Sequence, residues 1–220
     1  MPTAREALLD AALAALTHRP WSAVRMADLA AAARVSRQTL YNEFGSKDGL
    51  ARALVRREAD TYLQGVRGLL ARPGPPGRTL AALAEWIVAR TAARPVLRAL
   101  LTGAWDARLP APRPARPGAR PATVPAQRRA DAGPPAPGEL VAATVACADE
   151  GWAAACELAV RIALSHVVAP PVPYGTAAGA RGAGGQCAEP ESWSPMTPTI
   201  TRVIETILRV ETTSPRKTMP

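Results

Sequence analysis

The chain of 220 residues is poor in aromatics, with five Trp, three Tyr and one Phe. It is poorer still in Lys and His, with two of each, and it holds three Cys. Each scarcity excludes something. His18 and His166 lie too far apart in sequence to suggest a metal or a catalytic pair. Cys147, Cys156 and Cys187 are an odd set without paired-ligand spacing, which argues against a disulfide framework or a zinc site. No nucleophile motif, phosphate loop or metal-spaced cluster is present, so an enzyme is the least supported class and no cofactor is expected. No apolar run approaches the roughly 20 residues that span a bilayer. Glu6 and Asp10 interrupt the first apolar pattern, so residues 4–17 do not read as a secretory segment. The expectation is a soluble, cytoplasmic chain with no membrane partner.

The sequence is rich in Ala, Leu and Arg. Ala-rich, Leu-rich segments with few β-branched runs predict an all-α fold. The formal charge is +9, but its location matters more than its size. Residues 1–66 carry nine basic and seven acidic residues, whereas residues 107–138 carry six Arg and one Asp. Net charge favours encounter with a polyanion in general, yet most of this excess lies far from the segment best shaped to use it.

That segment follows a series of short helices. Leu9, Leu13 and Leu16, flanked by Leu8 and Ala12, give residues 4–17 an amphipathic stripe. Pro20 stops it, and Trp21 is placed to pack under the turn. Residues 26–33 form a second helix with Met26, Leu29, Ala30 and Ala33 on one face. After a brief connection at Arg34 and Val35, Ser36 is a candidate N-cap. A third helix runs from Arg37 to Phe44, with Leu40 and Phe44 inward and Val35 stapled onto Leu40. Gly45 ends it, and Ser46 caps a long fourth helix.

Two short helices, a tight connection, and an outer face of Arg, Gln, Thr, Tyr and Asn describe a helix-turn-helix. Such a helix fits the major groove with its N-terminal side chains nearest the base edges. Arg37 can donate a fork to guanine, and Gln38 can both donate to and accept from adenine. Thr39, Tyr41 and Lys47 suit phosphate contacts, which fix register without reading sequence. The free N–H groups at Ser46 and Lys47 offer a further phosphate position. The plainer alternative is an ordinary solvated helical hairpin.

The run "MADLAAAARVSRQTLYNEFGSKDGLARALV", residues 26–55, resembles the DNA-binding domain of the TetR family of bacterial transcriptional repressors. The preceding "AREALLDAALAAL" and "RPWSAV" look like that family's first helix and aromatic-containing loop. The resemblance covers about the first 60 residues. It implies an all-α protein, a dimer formed through the C-terminal domain, a double-stranded DNA operator, and a small-molecule effector that weakens operator binding. By resemblance, Arg37 and Gln38 read bases, and Thr39, Tyr41, Asn42 and Lys47 hold the backbone. Ser36 belongs to the same interface as the cap of the reading helix.

Two positions depart from the family pattern. Arg34 stands where the turn usually has Gly, and a left-handed backbone there costs a bulky residue about 1 kcal/mol. Arg25 stands where Ser or Thr usually caps the second helix, and losing that cap costs about 1 kcal/mol. Both changes add positive charge beside the expected DNA face, so Arg25 joins the expected phosphate contacts.

The domain reading is a helix-turn-helix domain over 1–54 and a helical effector and dimerisation domain over 55–220. "RPGPPG" at 72–77 breaks the fourth helix. Leu80, Leu83, Ala84 and Ile87 form the stripe of the next, over 78–93. Pro95 opens a short helix to about Thr102. Nine Pro between 106 and 138 exclude regular structure there, and residues 170–198 are again rich in Pro, Gly and Ser. Residues 107–138 have the composition of either a true disordered insertion or GC-rich DNA read in compensating frames. Residues 139–168 return to helix, with Val141, Val145, Trp152, Cys156, Val160, Ala163 and Val167 as apolar positions. "TITRVIETILRV" gives a last amphipathic segment.

Resemblance thins beyond residue 60, and the effector half is poorly specified. Pocket candidates are Trp86, Trp105, Trp152, Cys156 and His166, because small-molecule sites are mostly apolar with few polar groups. Taken singly, each is better explained as core packing. The leading reading is a homodimeric repressor of a palindromic operator. The competing readings are a nucleoid-type DNA coat, with steep salt dependence and little sequence preference, and a regulator with an incomplete C-terminal domain that binds half-sites.

Overall fold

The computed structural model describes residues 3–111 and 134–170. Among these, eight α-helices and two 3₁₀ turns occur and no strand does, as the sequence predicts. Residues 112–133, the 171–198 tract, Cys187 and the amphipathic stretch at 199–210 lie outside the described residues.

Helix α1 (Ala4–His18) starts at a reciprocal cap. The Thr3 hydroxyl accepts from the Glu6 N–H at 3.2 Å and the Glu6 carboxylate accepts from the Thr3 N–H at 2.8 Å. This satisfies two donors that the helix end leaves open. These bonds hold the Glu6 carboxyl below its ordinary value. A 3₁₀ turn (Trp21–Ala23) leads to α2 (Met26–Ala32), α3 (Arg37–Phe44) and α4 (Lys47–Leu70). Leu8, Leu9, Ala12, Trp21, Leu29, Leu40, Phe44, Leu50 and Leu54 close a small N-terminal core. Arg57 of α4 reaches Asp10 of α1 at 2.6 Å across its edge.

Helix α4 continues into a second, larger core built with α5 (Pro76–Ala93), α6 (Pro95–Thr102), α7 (Pro137–Val145) and α8 (Ala153–Val168). Tyr62, Leu80, Leu83, Ile87, Leu97, Leu100, Leu140 and Val160 are its buried members. Gly65 lets α5 approach, since a Cβ there would meet the Trp86 ring. Leu16 of α1 packs against both cores.

Four features differ from the sequence expectation. The stretch over 139–168 is two helices separated by a turn and a 3₁₀ element (Glu150–Trp152). Pro137 and Gly138 belong to the first turn of α7 rather than to the irregular tract, because Pro fits a first turn where its missing N–H is not needed. Asp106–Ala111 is likewise built into the fold, with Leu109 against the larger core and Pro110 buried. On α7 the inward face is Leu140 and Thr144, whereas Val141 and Val145 are only half-buried. Thr144 tolerates burial because its hydroxyl reaches the Leu140 carbonyl at 2.8 Å and the Tyr62 hydroxyl at 3.0 Å.

The 19-residue stretch Glu150–Val168 holds an 18-residue window of mean hydropathy 1.3, enough by length and composition for a membrane span. This corrects the expectation that no run is so apolar. Cys156, Ala159, Val160 and Ala163 of this stretch are buried in the larger core, and 28% of that window is buried in all.

Candidate nucleic-acid interface

Helix α3 is short and polar, and tertiary packing holds it more than its own propensity does. The Ser36 hydroxyl accepts from the Thr39 N–H at 3.0 Å, as a cap should, and lies 2.8 Å from the Thr39 hydroxyl. Leu40 and Phe44 are buried, and Val35 packs beside them. Arg5 of α1 lies 4.6 Å above the Phe44 ring and donates to the Glu43 carbonyl at 3.1 Å. These contacts fasten the C-terminal end of α3 to α1. Gly45 follows with φ of 69° and donates to the Tyr41 carbonyl at 2.8 Å. Gly49 sits where any side chain would strike the Phe44 carbonyl, so "GSKDG" folds α4 tightly against the end of α3.

What remains outside is a coherent face. Arg37, Gln38, Tyr41 and Asn42 are all exposed, Tyr41 by 49% despite its ring. Thr39 is half-buried at its edge. The Gln38 amide donates to the Asn42 carboxamide oxygen at 3.0 Å, a pair four residues apart along the helix. Such exposed pairs contribute only about 0.2–0.5 kcal/mol, so Gln38 is easily released to another partner.

The two departures behave as expected. Arg34 has φ of 56°, a left-handed conformation that strains a side chain bearing a Cβ. Arg25 occupies the N-cap of α2 with extended backbone and makes no side-chain cap bond. Both are exposed beside α3.

Lys47 lies differently from the outward phosphate contact that the sequence suggested. Its ammonium donates to the Val24 carbonyl at 2.6 Å and the Ser22 carbonyl at 3.3 Å, and sits 5.3 Å from the Trp21 ring centre. Burial pushes its pKa below the ordinary lysine value, with neighbouring Asp48 acting in the opposite sense. Sequence spacing cannot reveal this, because Lys47 and Val24 meet only through the packing of Trp21.

Residues 8–54 match the model of "Bacterial regulatory proteins, tetR family". Over those residues the chain is similar to that family. The HTH-type transcriptional regulator AlkX of Mycobacterium tuberculosis (strain ATCC 25618 / H37Rv) is 41% identical over 100 residues, 45% of this chain and 47% of that protein. The match thus spans about half the length of that curated relative. Among solved structures, the TetR family repressor AlkX from Dietzia sp. strain DQ12-45-1b, implicated in biodegradation of n-alkanes, is 23% identical. It covers 94% of each chain with a TM-score of 0.48.

The five effector-pocket candidates lie in different surroundings among the described residues. Cys156 is sealed in the larger core, and burial pushes its thiol up to about 11. Trp86 stacks on Tyr62 at 5.7 Å, and the Arg90 guanidinium lies over the Trp86 ring, 5.8 Å from its centre. Trp105 packs against the larger core from the segment after α6, and Trp152 lies half-buried in the 3₁₀ turn before α8. His166 bonds to the Ile162 carbonyl at 3.1 Å within α8. Apolar residue type was the signal used, and packing residues share it. An open hollow of about 580 Å³ lies instead between α1 and α2, lined by Ala11, Ala15, Leu29 and Ala33 and rimmed by Asp10 and Arg19.

Proposed function

We propose that the chain is a DNA-binding transcriptional regulator, a homodimeric repressor that binds a palindromic operator through α3 and is released by a small-molecule effector. The observation that carries this reading is the exposed set of Arg37, Gln38, Tyr41 and Asn42 on a helix anchored at both ends by Ser36, Phe44 and Gly45. An α-helix fills the major groove, and a face of forked and amide side chains matches the donors and acceptors of base edges. In this reading Arg37 pairs with guanine and Gln38 with adenine. Ser36, Thr39, Tyr41 and Asn42 hold phosphates, and Arg25 extends the contact to a neighbouring one. The tetR-type domain and the curated relative support the same class of function.

Two copies would place their α3 helices about one DNA turn apart and read a palindrome. Among the described residues, Leu158 and Val168 are exposed aliphatics on α8 that a second copy could cover. An effector would act by favouring a dimer geometry that misaligns the two helices.

The test is selection of binding sites from random duplex DNA by the purified full chain at near-physiological salt. A recovered palindrome with 10–10.5 base pairs, or a multiple, between half-site centres is the expected outcome. A single half-site would remove the dimer from the reading. Binding without sequence preference and with a steep salt slope would replace it with a general DNA coat.

A further inference from the structure

Backbone contacts join the two cores at a place that neither the helix pattern nor the exposed face of α3 explains. The Trp21 N–H donates to the Arg108 carbonyl at 2.8 Å. Trp21 belongs to the N-terminal core, whereas Trp105 and Leu109, on either side of Arg108, pack against the larger one. The bond therefore crosses between them.

Both ends of the bond are held. Beyond α6, Gly103 turns the chain at φ of 74°. Asp106 then accepts twice, its side chain from the Arg108 N–H at 2.7 Å and its carbonyl from the Leu109 N–H at 3.2 Å. This small knot aims the Arg108 carbonyl outward. On the other side, the Trp21–Val24 turn is closed by its own bonds, Ala23 to Pro20 at 2.9 Å and Val24 to Trp21 at 3.1 Å. The Lys47 ammonium then grips that turn by the Val24 and Ser22 carbonyls and the Trp21 ring. Lys47 is the first residue of α4, three positions after the end of α3.

We propose that the Trp21–Val24 turn is a coupling strut, taking the position of the 103–111 segment through the Arg108 carbonyl and passing it through Lys47 to the junction of α3 and α4. Lys47 is then a positioning residue, and the strut acts beside the continuous helix α4 as a second connection between the cores. Its consequence for DNA rests on the reading of α3 as the DNA-contacting helix; its existence does not.

Amide hydrogen exchange on the full chain tests the strut without DNA. Asp106→Ala removes the acceptor that aims Arg108, on an exposed residue. It is expected to speed exchange of the Trp21 amide and of amides 23–24 and 49–50 by about threefold to tenfold, the scale of one lost hydrogen bond. The core amides of Ile87 and Val160 should not change. Lys47→Met should act in the reverse direction and speed exchange over 105–111, because coupling is reciprocal. Effects confined to 103–111 in the first variant, or to 21–24 and 46–50 in the second, would overturn the proposal. Parallel acceleration at Ile87 and Val160 would also overturn it, since the contact would then be ordinary packing. On a duplex recovered by selection, Asp106→Ala should weaken binding by a similar factor, and unchanged affinity would overturn the coupling to α3. If selection recovers no DNA, the reading of α3 fails while the exchange result still decides the strut.

Discussion

Arg94 grips both oxygens of Glu58, at 2.6 and 3.0 Å, with the Glu58 side chain 3% exposed. Glu58 lies midway along α4, and Arg94 is the single residue between α5 and α6. The pair therefore pins the corner of two helices to the helix that crosses both cores. A two-pronged guanidinium–carboxylate contact is the strong form of such a bond.

Removing Arg94 leaves the Glu58 carboxylate with little water, whereas Arg94 itself is 28% exposed. Arg94→Ala is expected to cost about 3–5 kcal/mol and Glu58→Ala less, both read from denaturant midpoints. Replacing both, as Glu58→Met with Arg94→Leu, should cost less than either single change, because no lone charge remains. If the double variant is as unstable as the sum of the singles, the pair is not acting as a unit.

Tyr62 gives the fold an alkaline limit. Burial pushes its hydroxyl up to about 12, against 10.0 for the free side chain. The raised value means that the folded state favours the neutral phenol. This contribution is fully present below pH 10 and is lost as pH rises through about 12, a fall of about 2–3 kcal/mol. Tyr62→Phe should remove that fall, and a tyrosine absorbance titration should find one group that ionises late. The two ends of its hydrogen bond are not equivalent. Tyr62→Phe leaves Thr144 bonded to the Leu140 carbonyl and should cost about 1 kcal/mol. Thr144→Val strands the buried phenol and should cost about 1–3 kcal/mol.

Gly65→Ala separates local preference from packing. Alanine favours a helix interior by about 1 kcal/mol. Here its Cβ would meet the Trp86 ring at 2.5 Å, and Trp86 is already held by Tyr62 and Arg90. The expected result is a loss of about 1–3 kcal/mol, as for other overpacked sites. A gain in melting temperature would mean that Trp86 moves aside freely.

The N-terminal domain was legible because local signals agree there. Leu8, Leu29, Leu40, Phe44, Leu50 and Leu54 recur at helical spacing and are all buried. Ser36 and Gly45 mark the ends of α3 as their chemistry predicts. The contacts of Lys47 were not legible, because its partners are two carbonyls 23 and 25 residues earlier, which carry no sequence signature. The burial of Thr144 carries no local signature either, since it depends on Tyr62, 82 positions away. Glu58 gave no sign of burial for the same reason: its compensating charge stands 36 residues on. The pocket candidates were less legible for the converse reason, because an apolar side chain near a core does not reveal whether it lines a space or fills it.

Arg25 and Arg34 join stability to function. The N-cap of α2 receives no side-chain bond from Arg25, and its backbone is already extended as a cap requires. Arg25→Thr should therefore add about 1 kcal/mol, or roughly 2–4 °C in melting temperature for a chain of this size. Arg34→Gly should add a comparable amount by relieving the φ of 56°. If Arg25 also holds a phosphate, its replacement should lower the slope of log affinity against log salt by about 0.9 per protomer. A stabilised variant with an unchanged slope would leave the cap argument standing and remove Arg25 from the DNA contacts. A lower slope without stabilisation would mean that the capping position is satisfied by water, and that the residue serves binding alone.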